Sequence, residues 1–159
     1  MAVRHHPSGT APEGAVMRPS LRDKVNAYYE LMKPTIVFLI LFTAYATLWI
    51  AAGSPPSLRL SLVILIGAGL AAGSANAMNC VYDRDIDAVM RRTRRRPIPS
   101  GRLSPREALI FGVVTGIASF IFLWWQTNWL AAAWALGGNL FYVFIYTMWL
   151  KRSTPQNIV

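Results

Sequence analysis

Asn79-Cys80-Val81-Tyr82-Asp83-Arg84-Asp85-Ile86-Asp87 closes a stretch that has been largely apolar since Leu60, and an arginine cluster follows it directly. On a helix, steps of four residues advance about 400° each, so Asn79, Asp83 and Asp87 drift only about 80° around the axis while climbing roughly 12 Å. They form one polar stripe. Two carboxylates on one face repel, and near lipid each is costly unless paired. A divalent cation relieves both penalties. Hard oxygen donors at this spacing suit Mg²⁺ held jointly by the protein and a phosphate-bearing substrate. One helix is thus asked to be a membrane span and the wall of a polar site. The fold this implies is an all-α, polytopic membrane helix bundle.

The rest of the chain agrees with that reading. Of 159 residues 54% are hydrophobic and only 14% charged, with six Trp, six Tyr and seven Phe. This is the composition of a membrane protein. Four apolar stretches, residues 36–53, 60–81, 108–125 and 129–150, approach the roughly 20 residues needed to cross a bilayer core. A soluble bundle would show polar faces at a 3.6-residue period, whereas residues 36–50 offer only Thr, Tyr and Trp as relief. The organisation expected is a disordered or amphipathic cytoplasmic tail over residues 1–32 and a transmembrane domain over residues 33–159.

The formal net charge is +9, and its distribution is one-sided. Arg4, Arg18, Arg22, Lys24 and Lys33 precede the first span. Arg84, Arg91, Arg92, Arg94, Arg95, Arg96, Arg102 and Arg106 lie between the second and third, and Lys151 and Arg152 follow the fourth. The loop between spans one and two carries only Arg59, and residues 126–128 carry no charge. The positive-inside rule therefore puts the amino terminus, the aspartate-rich loop and the carboxyl terminus on the cytoplasmic side of the inner membrane. Cys80 is the only cysteine, so no internal disulfide is possible. Residues 1–19 hold no apolar core of signal-peptide length, and His5 and His6 within them read as solvated rather than as metal ligands.

Several local features organise the site. Lys33-Pro34 opens the first span: proline is tolerated in a first helical turn, and the lysine reaches either phosphate or the membrane interface. Gly69/Gly73 and Gly112/Gly116 are spaced for close helix approach. Asn76, three residues before Asn79, extends the stripe toward the membrane interior, while Asp85 points to another side. Residues 91–102 form a basic, helix-breaking loop. Its place between two spans excludes nucleic-acid binding, which leaves anionic lipid or a diphosphate as the ligand of its guanidinium groups. Ser104-Pro105-Arg106-Glu107 is a capping box that starts the third span. Asn139, the one amide deep in the fourth span, is expected to make an interhelical hydrogen bond.

Taken together, Asn79-x-x-x-Asp83-x-x-x-Asp87, Arg92-Thr93-x-x-Arg96-Pro97 and Ser100-Gly101 resemble the first signature of the UbiA superfamily of intramembrane prenyltransferases. Lys33-Pro34, residues 83–93 and residues 146–159 are similar to those members that farnesylate protoheme, and Cys80 stands where quinone-type relatives usually carry aspartate. The resemblance runs from about Lys33 to Val159. It implies a cavity that binds farnesyl diphosphate through Mg²⁺ and a transfer of the farnesyl group to a vinyl group of protoheme, giving heme O. Heme is then a substrate rather than a cofactor. Carried over, Asn79, Asp83 and Asp87 are the metal ligands and catalytic residues, and Arg92, Arg96, Lys33 and Asn76 contact the diphosphate. The partners implied are the lipid bilayer and either a complementary carboxyl-terminal half or heme A synthase. Members of the superfamily are longer and carry a second aspartate-rich motif, whereas no acidic residue follows Glu107 here. The expectation is therefore an amino-terminal part that is inactive alone. The alternatives are a transferase for an aromatic or quinone precursor and a non-catalytic membrane binding or assembly fragment.

Overall fold

The computed structural model describes residues 20–150. The tail residues 1–19, with His5 and His6, and residues 151–159, with Lys151 and Arg152, lie outside the described residues. Six α-helices follow one another: α1 (Leu21–Met32), α2 (Pro34–Ala52), α3 (Leu58–Tyr82), α4 (Arg84–Val89), α5 (Pro105–Gln126) and α6 (Trp129–Leu140). The last continues as a π-helix, π1 (Phe141–Leu150). Four helical stretches are long and apolar enough to cross a membrane, Pro34–Ala52, Leu58–Tyr82, Pro105–Gln126 and Trp129–Trp149. They match the four expected from sequence to within three residues at each end.

The carboxyl-terminal part of the segment expected to be a tail is α1, an ordered helix of the bundle. Ser20 caps it: the Ser20 hydroxyl accepts from the Asp23 amide at 3.2 Å, and the Ser20 amide donates to the Asp23 carboxylate at 3.0 Å. One face, Ala27 and Leu31, is fully buried among Ala77, Cys80, Ile98, Leu103 and Ala108. The stripe of Leu21, Val25 and Tyr29 is apolar and exposed, so only part of the apolar surface of α1 is packed against the bundle. Two ion pairs clasp α1 to the far side of the loop, Lys24 to Glu107 at 3.1 Å and Arg102 to Glu30.

A single residue, Lys33, turns α1 into α2. It takes the left-handed conformation (φ 55°, ψ 69°), the only non-glycine residue with positive φ among those described. That conformation costs roughly 1–2 kcal/mol for an L-residue. It lets Pro34 sit at the first position of α2, where its missing N–H is harmless.

The central element is α3, which packs against α1, α2, α5, α6 and π1. Small residues make this possible. A side-chain carbon on Gly116 of α5 would sit 2.7 Å from the Ser74 hydroxyl, and one on Gly73 would sit 2.5 Å from the Met32 methyl. The glycine pair of α5 therefore faces α3, while Gly69 and Gly73 of α3 face α2 and the end of α1. Side chains lock the contacts to backbone: Ser74 donates to the Gly112 carbonyl at 2.7 Å and Ser119 to the Gly67 carbonyl at 2.8 Å. Asn139 makes the expected interhelical bond, donating to the Ala71 carbonyl at 2.9 Å. In a membrane each such bond contributes about 0.6–2 kcal/mol. The capping box at Ser104 and Glu107 forms as expected. No residue of α2 is buried, which suits a helix that is apolar on every face.

Candidate functional site

The polar stripe is built at the carboxyl end of α3. The helix breaks for one residue at Asp83 (φ −83°, ψ 1°) before α4 begins. The four-residue spacing survives the break, because the Asp83 amide donates to the Asn79 carbonyl at 2.9 Å and the Asp87 amide to the Asp83 carbonyl at 2.8 Å. Asn76, Asn79, Asp83 and Asp87 are accordingly buried together, at 3%, 2%, 1% and 4% exposure. Burying such groups is tolerable only when each is hydrogen-bonded or neutralised.

Two cations reach the stripe from different segments of the chain. Lys33 Nζ donates to Asn79 Oδ1 at 2.8 Å, so the left-handed turn between α1 and α2 is also what delivers the ammonium group. Arg96 pairs with Asp87 Oδ2 at 2.6 Å. Asp87 is the buried member and Arg96 the partly exposed one, so removing the guanidinium leaves a buried carboxylate uncompensated. The arginine loop is folded so as to bring Arg96 back: the Thr93 hydroxyl donates to the Asp87 carbonyl at 3.0 Å, and the Arg96 amide to the Thr93 carbonyl at 2.9 Å. Asn76 donates to the Met32 carbonyl at 2.9 Å, which ties the stripe to the end of α1.

Arg92, grouped with Arg96 from sequence, is exposed and makes no ion pair among the described residues. The loop geometry selects Arg96 for the stripe and leaves Arg92 at the surface. Asp85 is exposed and turned away, lining a separate cleft with Arg84, Tyr82 and Leu109, as its place on the helix predicts. Thr147 of π1 escapes sequence reasoning. It is fully buried and accepts from Asn79 Nδ2 at 3.3 Å. Its signal is slight: it is the only Ser or Thr in the fourth span.

Below the stripe lies an apolar cavity of about 340 Å³ between α2, α3 and the fourth span. Ala68, Ala71, Ala72 and Ala75 leave the space, Ile36 and Ile40 wall it, and Asn76, Asn139 and Tyr142 supply its polar atoms. Asn76 belongs to both cavity and stripe, so the two adjoin at its carboxamide.

The donor set has a definite character. Among the described residues no group of three or more His, Cys, Asp or Glu side chains is placed to hold a metal. The stripe offers two carboxylates and one carboxamide oxygen, hard donors suited to Mg²⁺ but too few for an octahedral shell. They fit an ion that takes its remaining ligands from water and phosphate.

The model of the UbiA prenyltransferase family matches residues 40–159. The chain is 58% identical to a protoheme IX farnesyltransferase of Symbiobacterium thermophilum over 135 residues, 85% of this chain and 45% of that protein. It is 54% identical to the protein of that name from Clavibacter sepedonicus over 136 residues, 86% of this chain and 44% of the relative. It is 55% identical to the one from Synechococcus elongatus over 133 residues, 84% and 42% of the two chains. The chain thus spans a little under half the length of the curated relatives it matches. No solved structure matches it.

Proposed function

The chain belongs to the UbiA prenyltransferase family, and we propose that it forms the diphosphate-binding part of an enzyme that transfers a farnesyl group from farnesyl diphosphate to a vinyl group of protoheme, giving heme O. The observation that carries this reading is the meeting of Lys33 with Asn79 and of Arg96 with Asp87 on one buried stripe whose member Asn76 also lines an apolar cavity. The identity of 50–58% to proteins named protoheme IX farnesyltransferase supports the acceptor.

The chemistry follows from the placement of charge. Ionising an allylic diphosphate sends the electron pair of the carbon–oxygen bond out with the diphosphate, and the barrier falls when charge on that leaving group is met by fixed positive groups. Lys33 and Arg96 are those groups. They meet Asn79 and Asp87, and a diphosphate would give each a stronger partner, the guanidinium in bidentate fashion. Mg²⁺ held between the diphosphate and Asn79, Asp83 and Asp87 would neutralise the remaining leaving-group charge. The cavity walled by Ile36, Ile40 and the alanines of α3 takes the isoprenoid chain and keeps water from the allylic cation. The vinyl π electrons then form the new carbon–carbon bond, and the cation left on the vinyl carbon beside the porphyrin is captured by water with loss of a proton, which supplies the hydroxyl of the product. Asn76 sits where chain gives way to diphosphate, and Arg92, at the surface, attracts the anionic substrate. The one-sided charge sets the arginine-rich end at the cytoplasmic face of the inner membrane. The relatives' further length is where a complementary segment would close the site.

The test is farnesylation of protoheme by membranes that carry the full polypeptide containing residues 1–159, read by mass spectrometry, with Mg²⁺ and with a chelator. Heme O formed only with Mg²⁺ is the expected result. Prenylation of a phenolic acid in place of protoheme would move the acceptor to the aromatic class. Well-folded protein that neither binds farnesyl diphosphate nor forms product would overturn the enzymatic reading.

A further inference from the structure

The fourth span changes register without an obvious cause: residues 141–150 contain no proline or glycine, yet the α-helix gives way to a π-helix there. At ten residues it is longer than the single-turn form in which this conformation mostly occurs, frequently at functional sites. What this one achieves is visible at Thr147. Its hydroxyl donates to the Tyr142 carbonyl five residues earlier, at 3.1 Å, and so offers its lone pair to Asn79 Nδ2 at 3.3 Å. On the other end of the same carboxamide stands the Lys33 ammonium, which can only donate. Asn79 Oδ1 must therefore face Lys33 and Nδ2 must face Thr147. The register is held at a second point, since Asn139 bonds to Ala71, each eight residues before its counterpart in the Thr147–Asn79 pair.

We infer that Thr147 is a positioning residue that holds the Asn79 carboxamide with its oxygen turned toward the diphosphate site. The inference rests on the reading of the stripe as a diphosphate site. Without the hydroxyl, Nδ2 is a buried donor that has lost its acceptor, and the amide is no longer held in the one orientation that aims Oδ1 at Lys33. Partners that orient a ligand in this way commonly set affinity by about 10–100-fold.

The experiment compares Thr147→Val, Thr147→Ala, Thr147→Ser, Asn79→Ala, Asp83→Ala and the Asn79→Ala/Thr147→Val pair in the full polypeptide. The readouts are Mg²⁺-dependent binding of farnesyl diphosphate and the Mg²⁺ concentration for half-saturation. Thr147→Val and Thr147→Ala are expected to weaken both by about 10–100-fold. Thr147→Ser, which keeps the hydroxyl, should return binding close to the parent, and Thr147→Val should add nothing once Asn79 is alanine. A Thr147→Ala or Thr147→Val protein that binds like the parent, while Asn79→Ala and Asp83→Ala do not, overturns the inference and leaves the proposed function standing. Losses from Thr147 and Asn79 that add in the double variant also overturn it, because they mark a packing role alone. Unchanged binding in both Asn79→Ala and Asp83→Ala removes the diphosphate reading, and the inference with it.

Discussion

The two ends of the bundle are made from the same four spans and treat polar side chains in opposite ways. At the end carrying the arginine loop, Asn76, Asn79, Asp83 and Asp87 are buried, and at the other the turn from α5 to α6 presents Trp124, Trp125 and Trp129 to the surroundings. The exposed indoles of the aromatic end ask little of tertiary structure, because such rings are stable at a membrane interface wherever the helices stop. The aspartate end exists only because α1, the Lys33 turn, the folded loop and π1 converge on α3 to supply donors and cations. A site of this kind concentrates function, and it also concentrates sensitivity to mutation.

That contrast can be broken most directly at the stripe. Asp83→Asn and Asp87→Asn are expected to lower farnesyl transfer by about 10²–10³-fold, the usual cost of losing one preorganised electrostatic contact to the reacting group. Product measured by mass spectrometry at saturating protoheme checks this, and parent-like rates would detach the stripe from chemistry. Next in size is a contrast inside one loop. Arg96→Ala leaves the buried Asp87 carboxylate without its 2.6 Å partner and is expected to cost about 1–3 kcal/mol of stability. Arg92→Ala, at an exposed position, is expected to change stability by less than about 0.5 kcal/mol. Thermal unfolding of both variants in the same detergent decides it, and equal losses would show that burial does not rank the arginines.

A smaller effect is expected where α1 is clasped to the loop. The Arg102 guanidinium hydrogen-bonds Glu30 and holds its carboxyl below the usual range. A depressed folded value means that the contribution is complete above the unfolded value, near 4.3, and is lost as pH falls through the lower folded one. Acidification from about pH 5.5 toward pH 3 should therefore loosen α1. The pair is partly exposed, so the change is under about 1 kcal/mol. Limited proteolysis near residue 20 across that range should rise in the parent and lose this pH component in Arg102→Gln. The least effect belongs to the far end: Trp125→Ala, at 84% exposure, should leave Mg²⁺-dependent binding of farnesyl diphosphate unaltered. A loss of binding there would erase the contrast between the two ends.

Much of the site is legible in the chain's linear order, for a local reason. Asn79, Asp83 and Asp87 belong to one helical stretch, and helical spacing alone aligns them. The capping box at Ser104 and the hydrogen bond of Asn139 follow from equally local logic. Sequence spacing treats Arg92 and Arg96 alike, since both lie a few residues from the carboxylates. Only the Thr93 anchor and the turns around it decide which side chain reaches Asp87. Likewise α1 is amphipathic in sequence, but its docking depends on a lysine in a left-handed conformation that no propensity favours.

The sequence by itself determined that the chain crosses the membrane in four helices and which end of α3 bears the carboxylates. Hydrophobic length and helical period are properties of contiguous residues. Tertiary structure alone decided which cations meet the carboxylates, how the carboxamide of Asn79 is turned, and that Thr147 faces it from 68 residues away. Those outcomes depend on buried hydrogen bonds between distant segments, where each donor takes whichever acceptor the packing of the helices leaves within reach.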